Sequence, residues 1–165
     1  MGDSRVFDTK KSKALQLVDA GVDHAADNDF ESAILCFQES ISHYPTAEAY
    51  TYWAWMLSFR GSYDQAISLC KKAIEIDPDF GNSYNDIGSY LMKLNKFGDA
   101  IAWLEKAKKA ARYELRHYPF MNMGRIYMEK GWLTRAIEEF QGALKFDPNN
   151  IEVQHVLEDL AQSIH

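Results

Sequence analysis

The sequence predicts an all-α solenoid of about four antiparallel helix pairs closed by a C-terminal capping helix. Two observations carry this: a phrase of small and large residues recurs four times, and turn signals fall at matching places between the recurrences. Ala33, Ala66, Ala100 and Ala136 stand 33, 34 and 36 residues apart. Four residues on from each come Phe37, Cys70, Leu104 and Phe140, followed by a small residue at Ser40, Ala73, Ala107 and Ala143. Upstream, Gly21, Ala54, Gly88 and Gly124 are each followed three residues later by His24, Leu57, Leu91 and Tyr127. A fixed period of this length means stacked supersecondary units. Small residues let one helix approach the next, and the large residues opposite fill the gap, so these positions are the expected core.

The elements follow in order. Residues 1–9 are set apart as a flexible arm, before a single domain at 10–165. The first unit, 14–46, turns at Asn28-Asp29 and reaches Pro45. The second, 47–80, turns at Arg60-Gly61 and ends at Asp77-Pro78, where proline disfavours helix in the residue before it. The third, 81–116, turns at Asn95-Lys96, lacks a terminal proline and runs two residues long, predicting a longer second helix or a wider loop before Pro119. The fourth, 117–150, turns at Lys130-Gly131 and ends at Asp147-Pro148. In 151–165, Val153, Val156, Leu157, Leu160, Ala161 and Ile164 form one stripe with Glu152, Glu158, Asp159 and Gln162 elsewhere, the pattern of a cap with a polar back.

This phrase resembles the tetratricopeptide repeat signature W-x₂-L-G-x₂-Y, then A-x₃-F, then A, then P, over residues 14–150. The resemblance implies a right-handed superhelical solenoid whose first helices line a concave face, and a protein-binding scaffold or adaptor rather than an enzyme. It assigns to that face Leu15, Val18 and Val22; Tyr52, Trp55 and Phe59; Asn82, Asn85, Asp86, Ser89 and Met92; and Tyr118, Met121, Asn122, Arg125 and Met128. The candidate peptide-binding residues are therefore Tyr52, Trp55, Asn82, Asn85, Asp86, Ser89, Tyr118, Asn122 and Arg125. Asparagine both donates and accepts, which suits a peptide backbone, and Arg125 suits a carboxylate.

A family subtype that clamps chaperone C-termini with lysine, arginine and asparagine does not fit. Its positions here hold Val18, Val22, Tyr52, Asn82 and Asp86, or Thr51, Trp55, Asp86, Tyr118 and Asn122, without a cation. The phrases Asn85-Asp86-Ile87-Gly88 and Tyr118-Pro119 with Asn122-Met123-Gly124 are similar to bacterial type IV pilus assembly proteins of the family. Those are exported lipoproteins, whereas Met1-Gly2-Asp3-Ser4-Arg5-Val6 leads into polar sequence without an apolar run, so no export signal is read here. A pilus-assembly-like factor stays a remote alternative, and the other is a structural subunit that self-assembles through its ends, with Leu15, Val18 and Val22 as exposed apolar residues of the N-terminal repeat.

Composition narrows the chemistry. A net charge of −6 removes the basic footprint of a nucleic-acid binder. No segment approaches the roughly 18 apolar residues of a membrane span. Cys36 and Cys70 lack CxxC spacing, which argues against a disulfide framework or zinc site and for small core roles in a cytoplasmic protein. His24, placed at a core or turn-facing position, and His43, His117, His155 and His165 form no ligand pair; Asp77 and Asp147 sit at helix ends, and Glu138-Glu139 is expected on a solvated side. No metal, cofactor or catalysis is therefore expected. Lys106, Lys108, Lys109, Arg112 and Arg116 gather near a helix C-terminus, where cations complement the dipole. Trp53, Trp103 and Trp132 are read as structural and Trp55 as the outlier.

Overall fold

Asn28, Gly61, Asn95 and Gly131 have φ of 61°, 72°, 58° and 71°. These left-handed residues are the physical basis of the repeat, because each ends one helix and lets the chain reverse into the next. In the computed structural model, which describes residues 2–163, they separate α1 (Gly2–Ala26) from α2 (Phe30–His43) and α3 (Ala47–Ser58) from α4 (Tyr63–Ile76). They likewise separate α5 (Gly81–Lys93) from α6 (Phe97–Lys109) and α7 (His117–Glu129) from α8 (Leu133–Leu144), and α9 (Ile151–Ser163) follows. Side-chain oxygens cap the starts of α2, α3 and α9: Asp29 accepts from the Ser32 amide, Thr46 from that of Ala49 and Asn150 from that of Val153, at 3.2, 3.2 and 3.1 Å. Among the described residues there is no strand, and the nine helices pack each against the next. The all-α solenoid is the observed architecture.

The pairs close through the small residues. Ala33, Ala66, Ala100 and Ala136 are fully buried, as are Phe37, Cys70 and Leu104, and Phe140 is 2% exposed. A Cβ on Gly21 would lie 2.5 Å from the Phe37 ring, on Gly88 2.6 Å from Leu104 and on Gly124 2.7 Å from the Phe140 ring. In the second unit both partners change together, Ala54 for glycine and Cys70 for the large side chain, and both are fully buried.

One feature departs from the sequence reading, and another decides between the alternatives it left. Residues 2–9 continue α1 instead of forming a separate arm. The third unit's additional length is not a longer helix: α6 stops at Lys109, and the segment 110–116 turns back on the α4–α5 connection. There the Gly81 amide donates to the Arg112 carbonyl at 3.0 Å, the Arg112 amide donates to that of Asp79 at 2.9 Å, and Phe80 and Arg112 form an isolated parallel bridge. Ile164, assigned to the capping stripe, and His165 lie outside the described residues, as does Met1.

Candidate functional site

The first helices of the pairs stand side by side, with α1 touching α3, α3 touching α5 and α5 touching α7. Their inner stripes form a wall containing three open recesses. One of about 480 Å³ lies between α1 and α3, lined by Leu15, Asp19, Val22, Asp23 and Tyr52 among others. A second of about 270 Å³ joins Glu48 and Tyr52 to Asn82, Arg112, Glu114 and Leu115. A third of about 610 Å³ joins Ser89 and Met92 to Asn122, Arg125 and Glu129. Each has room for a few side chains of a ligand.

Glu48, Tyr52, Trp55 and Phe59 follow one another along a single face of α3, at helical spacing. Trp55 is 41% exposed and Phe59 55%, with their ring centroids 5.4 Å apart, and Phe59 stacks on Phe30 at 4.7 Å. Phe59 is thus anchored on one side while Trp55 projects. Tyr118 at the start of α7 is exposed, with His117 against its ring.

The polar candidates divide into two groups. Asn85 and Asn122, expected to meet a peptide backbone, are buried and bonded to each other, with the Asn122 amide donating to Asn85 Oδ1 at 3.1 Å. Arg125, expected to meet a ligand carboxylate, donates to Asn122 Oδ1 at 3.1 Å and to Glu152 at 2.5 Å. These three residues tie α5, α7 and α9 together. Asn82 and Ser89 are half-buried and make no side-chain hydrogen bond among the described residues, so their polar atoms are open to a partner. Val18 is 6% exposed: it forms the floor of the first recess rather than an exposed apolar patch, which leaves Leu15 and Val22 as the α1 residues above it.

Asp86 occupies the same inner stripe, between Asn82 and Ser89, and is half-buried. Among the described residues its one side-chain hydrogen bond is a long contact of 3.5 Å from the Asn85 amide. Burial without a compensating cation pushes its carboxyl up to about 7. Around it lie Tyr52 of α3, Cys70 of α4, Tyr90 of α5 and Tyr113 of the returning segment, each held toward its neutral form by burial and by the Asp86 charge.

Three members of the cationic cluster, Lys108, Arg112 and Arg116, are engaged within the fold. Arg116 donates to the carbonyls of Lys108, Ala110 and Ala111, closing the end of α6. Arg112 bridges Asp77 and Glu48 and lies over the Phe80 ring, and its proximity holds the Asp77 carboxyl below the usual range despite partial burial. Lys108 reaches Glu139 at 2.7 Å, and that side chain, expected on a solvated face, is only 17% exposed. His24 faces the turn, 3.3 Å from Asp29. Sequence reasoning missed the role of Arg112, because its partners lie 35 and 64 residues away.

Three stretches match the family described as tetratricopeptide repeat: residues 18–79, 60–118 and 119–150. The human mitochondrial import receptor subunit TOM70 is 26% identical over 131 residues, which is 78% of this chain and 21% of that protein. The chain thus spans about a fifth of the length of this curated relative. Among solved structures, the one titled as a functional characterisation of Pseudomonas aeruginosa pilF superposes with a TM-score of 0.87 at 19% identity, covering 94% of this chain and 70% of that one. The first such repeat domain of Spaghetti (RPAP3), bound to an HSP90 peptide, superposes with a TM-score of 0.64 at 22% identity, covering 72% and 93%. At these identities the structural likeness establishes the fold.

Proposed function

This chain belongs to the tetratricopeptide repeat family, whose members generally mediate protein–protein interaction, and we propose that it does so by holding a segment of another protein against the inner face of α1, α3, α5 and α7. The observation that carries this reading is the aromatic stripe of α3. Trp55 is exposed beside Phe59 and Tyr52 although the packing positions of the same helix, Ala54 and Met56, are fully buried. A large ring left half in water is the anchor type that dominates binding energies when a partner covers it.

The structural roles refine the candidate set. Tyr52, Trp55, Asn82, Ser89 and Tyr118 offer contact, whereas Asn85, Asn122 and Arg125 hold the wall that presents them, and Asp86 lies between. A segment lying extended or as a short helix would meet rings on α3 and free amide and hydroxyl groups on α5. The solved relative with an HSP90 peptide supports a peptide-binding use of the fold, but the cations of that recognition mode are absent from the matching positions. No helix among the described residues is long and apolar enough to cross a membrane. A cytoplasmic site of action belongs to this proposal, supported by the free Cys36 and Cys70.

Selection from a displayed library of random 12-residue peptides tests the reading. Peptides recovered on the wild-type protein should bind Trp55→Ala about five- to thirtyfold more weakly, roughly 1–2 kcal/mol, with an unchanged circular dichroism spectrum. Equal binding to Trp55→Ala, together with loss on substituting outer-face residues such as Trp103, would move the function to the convex side.

A further inference from the structure

The inner face is electrostatically asymmetric along its length. At the α7 end its cation is matched: Arg125 pairs with Glu152. Toward α1 the balance is one-sided. Asp19 and Asp23 on α1 and Glu114 on the returning segment are exposed and form no ion pair among the described residues. The cation of this half, Arg112, is committed to Asp77 and Glu48. The Tyr52 phenol lies at the centre of these groups, facing Glu48 on its own helix, Asp86 on α5 and both Glu114 and Arg112 on the segment 110–116. Beside the carboxylates of the two recesses lie exposed apolar side chains, Leu15 at 44%, Val22 at 39% and Leu115 at 46%, and Trp55, 41% exposed, stands one turn along α3 from Tyr52. Carboxylates alternating with unpaired apolar surface across two adjacent recesses are the complement of an amphipathic cation.

We propose that the half of the groove built by α1, α3, the start of α5 and the segment 110–116 receives a cationic amphipathic helix of another protein, its lysine or arginine side chains facing Asp19, Asp23 and Asp86 and its apolar stripe lying on Leu15, Val22 and Trp55. The proposal rests on the groove-binding reading above and specifies the chemistry of the ligand. Charge complementarity selects the occupant. An acidic segment would add like charge to an already uncompensated surface, and a neutral one would leave the carboxylates desolvated without partners. Asp86 is the discriminating group, because none of the ionisable side chains around it, Tyr52, Cys70, Tyr90 and Tyr113, is a cation. A ligand ammonium or guanidinium would supply what the fold withholds. Binding is then coupled to deprotonation. With Asp86 at about 7 in the free protein and lowered by the arriving cation, affinity rises with pH up to about that value and levels off above it.

The test uses the whole chain and a fluorescein-labelled 16-residue helical peptide of Leu, Ala and Lys with apolar residues at i, i+3, i+4 and i+7. Its Lys→Glu counterpart is the control, and both are followed by anisotropy. The cationic peptide should bind about tenfold or more tighter than the acidic one at low salt, and lose most of that advantage near 1 M salt, where the screening length falls to about 3 Å. The double substitution Asp19→Asn, Asp23→Asn should weaken it about two- to tenfold, and Asp86→Asn should remove the pH dependence. Equal affinity for both peptides, or no effect of these substitutions, overturns the proposal. Acidic-peptide binding that depends on Trp55 would overturn the charge inference while leaving the groove reading intact; cationic binding indifferent to Trp55→Ala would remove both. The start of α1 carries Lys10, Lys11 and Lys13 beside exposed Val6 and Phe7, so sedimentation of the unliganded chain is the second measurement. A mass that grows with concentration and is lost in Asp19→Asn, Asp23→Asn would place a second copy in the groove and overturn assignment to another protein.

Discussion

Gly81→Ala should destabilise the protein through a contact invisible to helix-propensity arguments. Gly81 is the first residue of α5, and a Cβ there would lie 2.4 Å from both Cβ and Cγ of Tyr113, a side chain 6% exposed. Restoring an ordinary separation of about 3.4 Å or more requires about 1 Å of movement. Because the obstructing atoms adjoin the Tyr113 backbone rather than a flexible tip, the segment 110–116 itself must move. Its two backbone bonds, Gly81 amide to Arg112 carbonyl at 3.0 Å and Arg112 amide to Asp79 carbonyl at 2.9 Å, cannot survive that displacement. Overpacking costs about 1–3 kcal/mol, and each broken bond adds about 1 kcal/mol. The reduced freedom of the unfolded chain returns about 0.4–1 kcal/mol. A net loss of about 2–4 kcal/mol should appear in urea melts followed at 222 nm and lower Tm by about 4–15 °C. Gly98→Ala is the control: it lies in the first turn of α6 with nothing within 4 Å of the added methyl, so it should be neutral or slightly stabilising. A Gly81→Ala protein as stable as the Gly98→Ala protein would refute the docked position of 110–116.

Two further outcomes follow from the buried polar groups. Asp86 is raised from 3.8 to about 7 on folding, so between those values the unfolded chain has released a proton that the folded chain retains, and this group's contribution to stability falls as pH rises from about 4 to about 7. Asp86→Asn should therefore raise stability by about 1–3 kcal/mol at pH 8, after allowing for solvent screening of a half-buried group, and by little at pH 4, as read by urea titration across that range. Asn122→Ala deletes the bonds to Asn85 and Arg125 and leaves buried Asn85 Oδ1 without its donor; it should cost about 1–3 kcal/mol of stability in the same assay.

The helix pairs, their turns and their contact residues were legible in the sequence because they are local or periodic. A left-handed residue ends the first helix of each pair wherever Asn28, Gly61, Asn95 or Gly131 occurs, and the glycine-to-large-residue contacts repeat with the chain's own period. Such signals survive in one dimension because each unit packs on its neighbour in the same way. The candidate site was legible only in outline. The family resemblance put Tyr52, Trp55, Asn85, Asn122 and Arg125 on the inner stripes, but it could not distinguish a group facing solvent from one facing the adjacent stripe. That distinction depends on the lateral offset between helices from different units, and it turned Asn85 and Asn122 into a buried pair braced by Arg125 while leaving Trp55 exposed. The two additional residues of the third unit likewise did not declare whether they would lengthen a helix or fold back. Only the tertiary structure decided this, because the bridge to Phe80 and the ion pairs of Arg112 with Asp77 and Glu48 join residues 32 to 64 positions apart. Periodicity specifies which face of a helix is buried, whereas the charge and shape of a groove arise from what faces it across space.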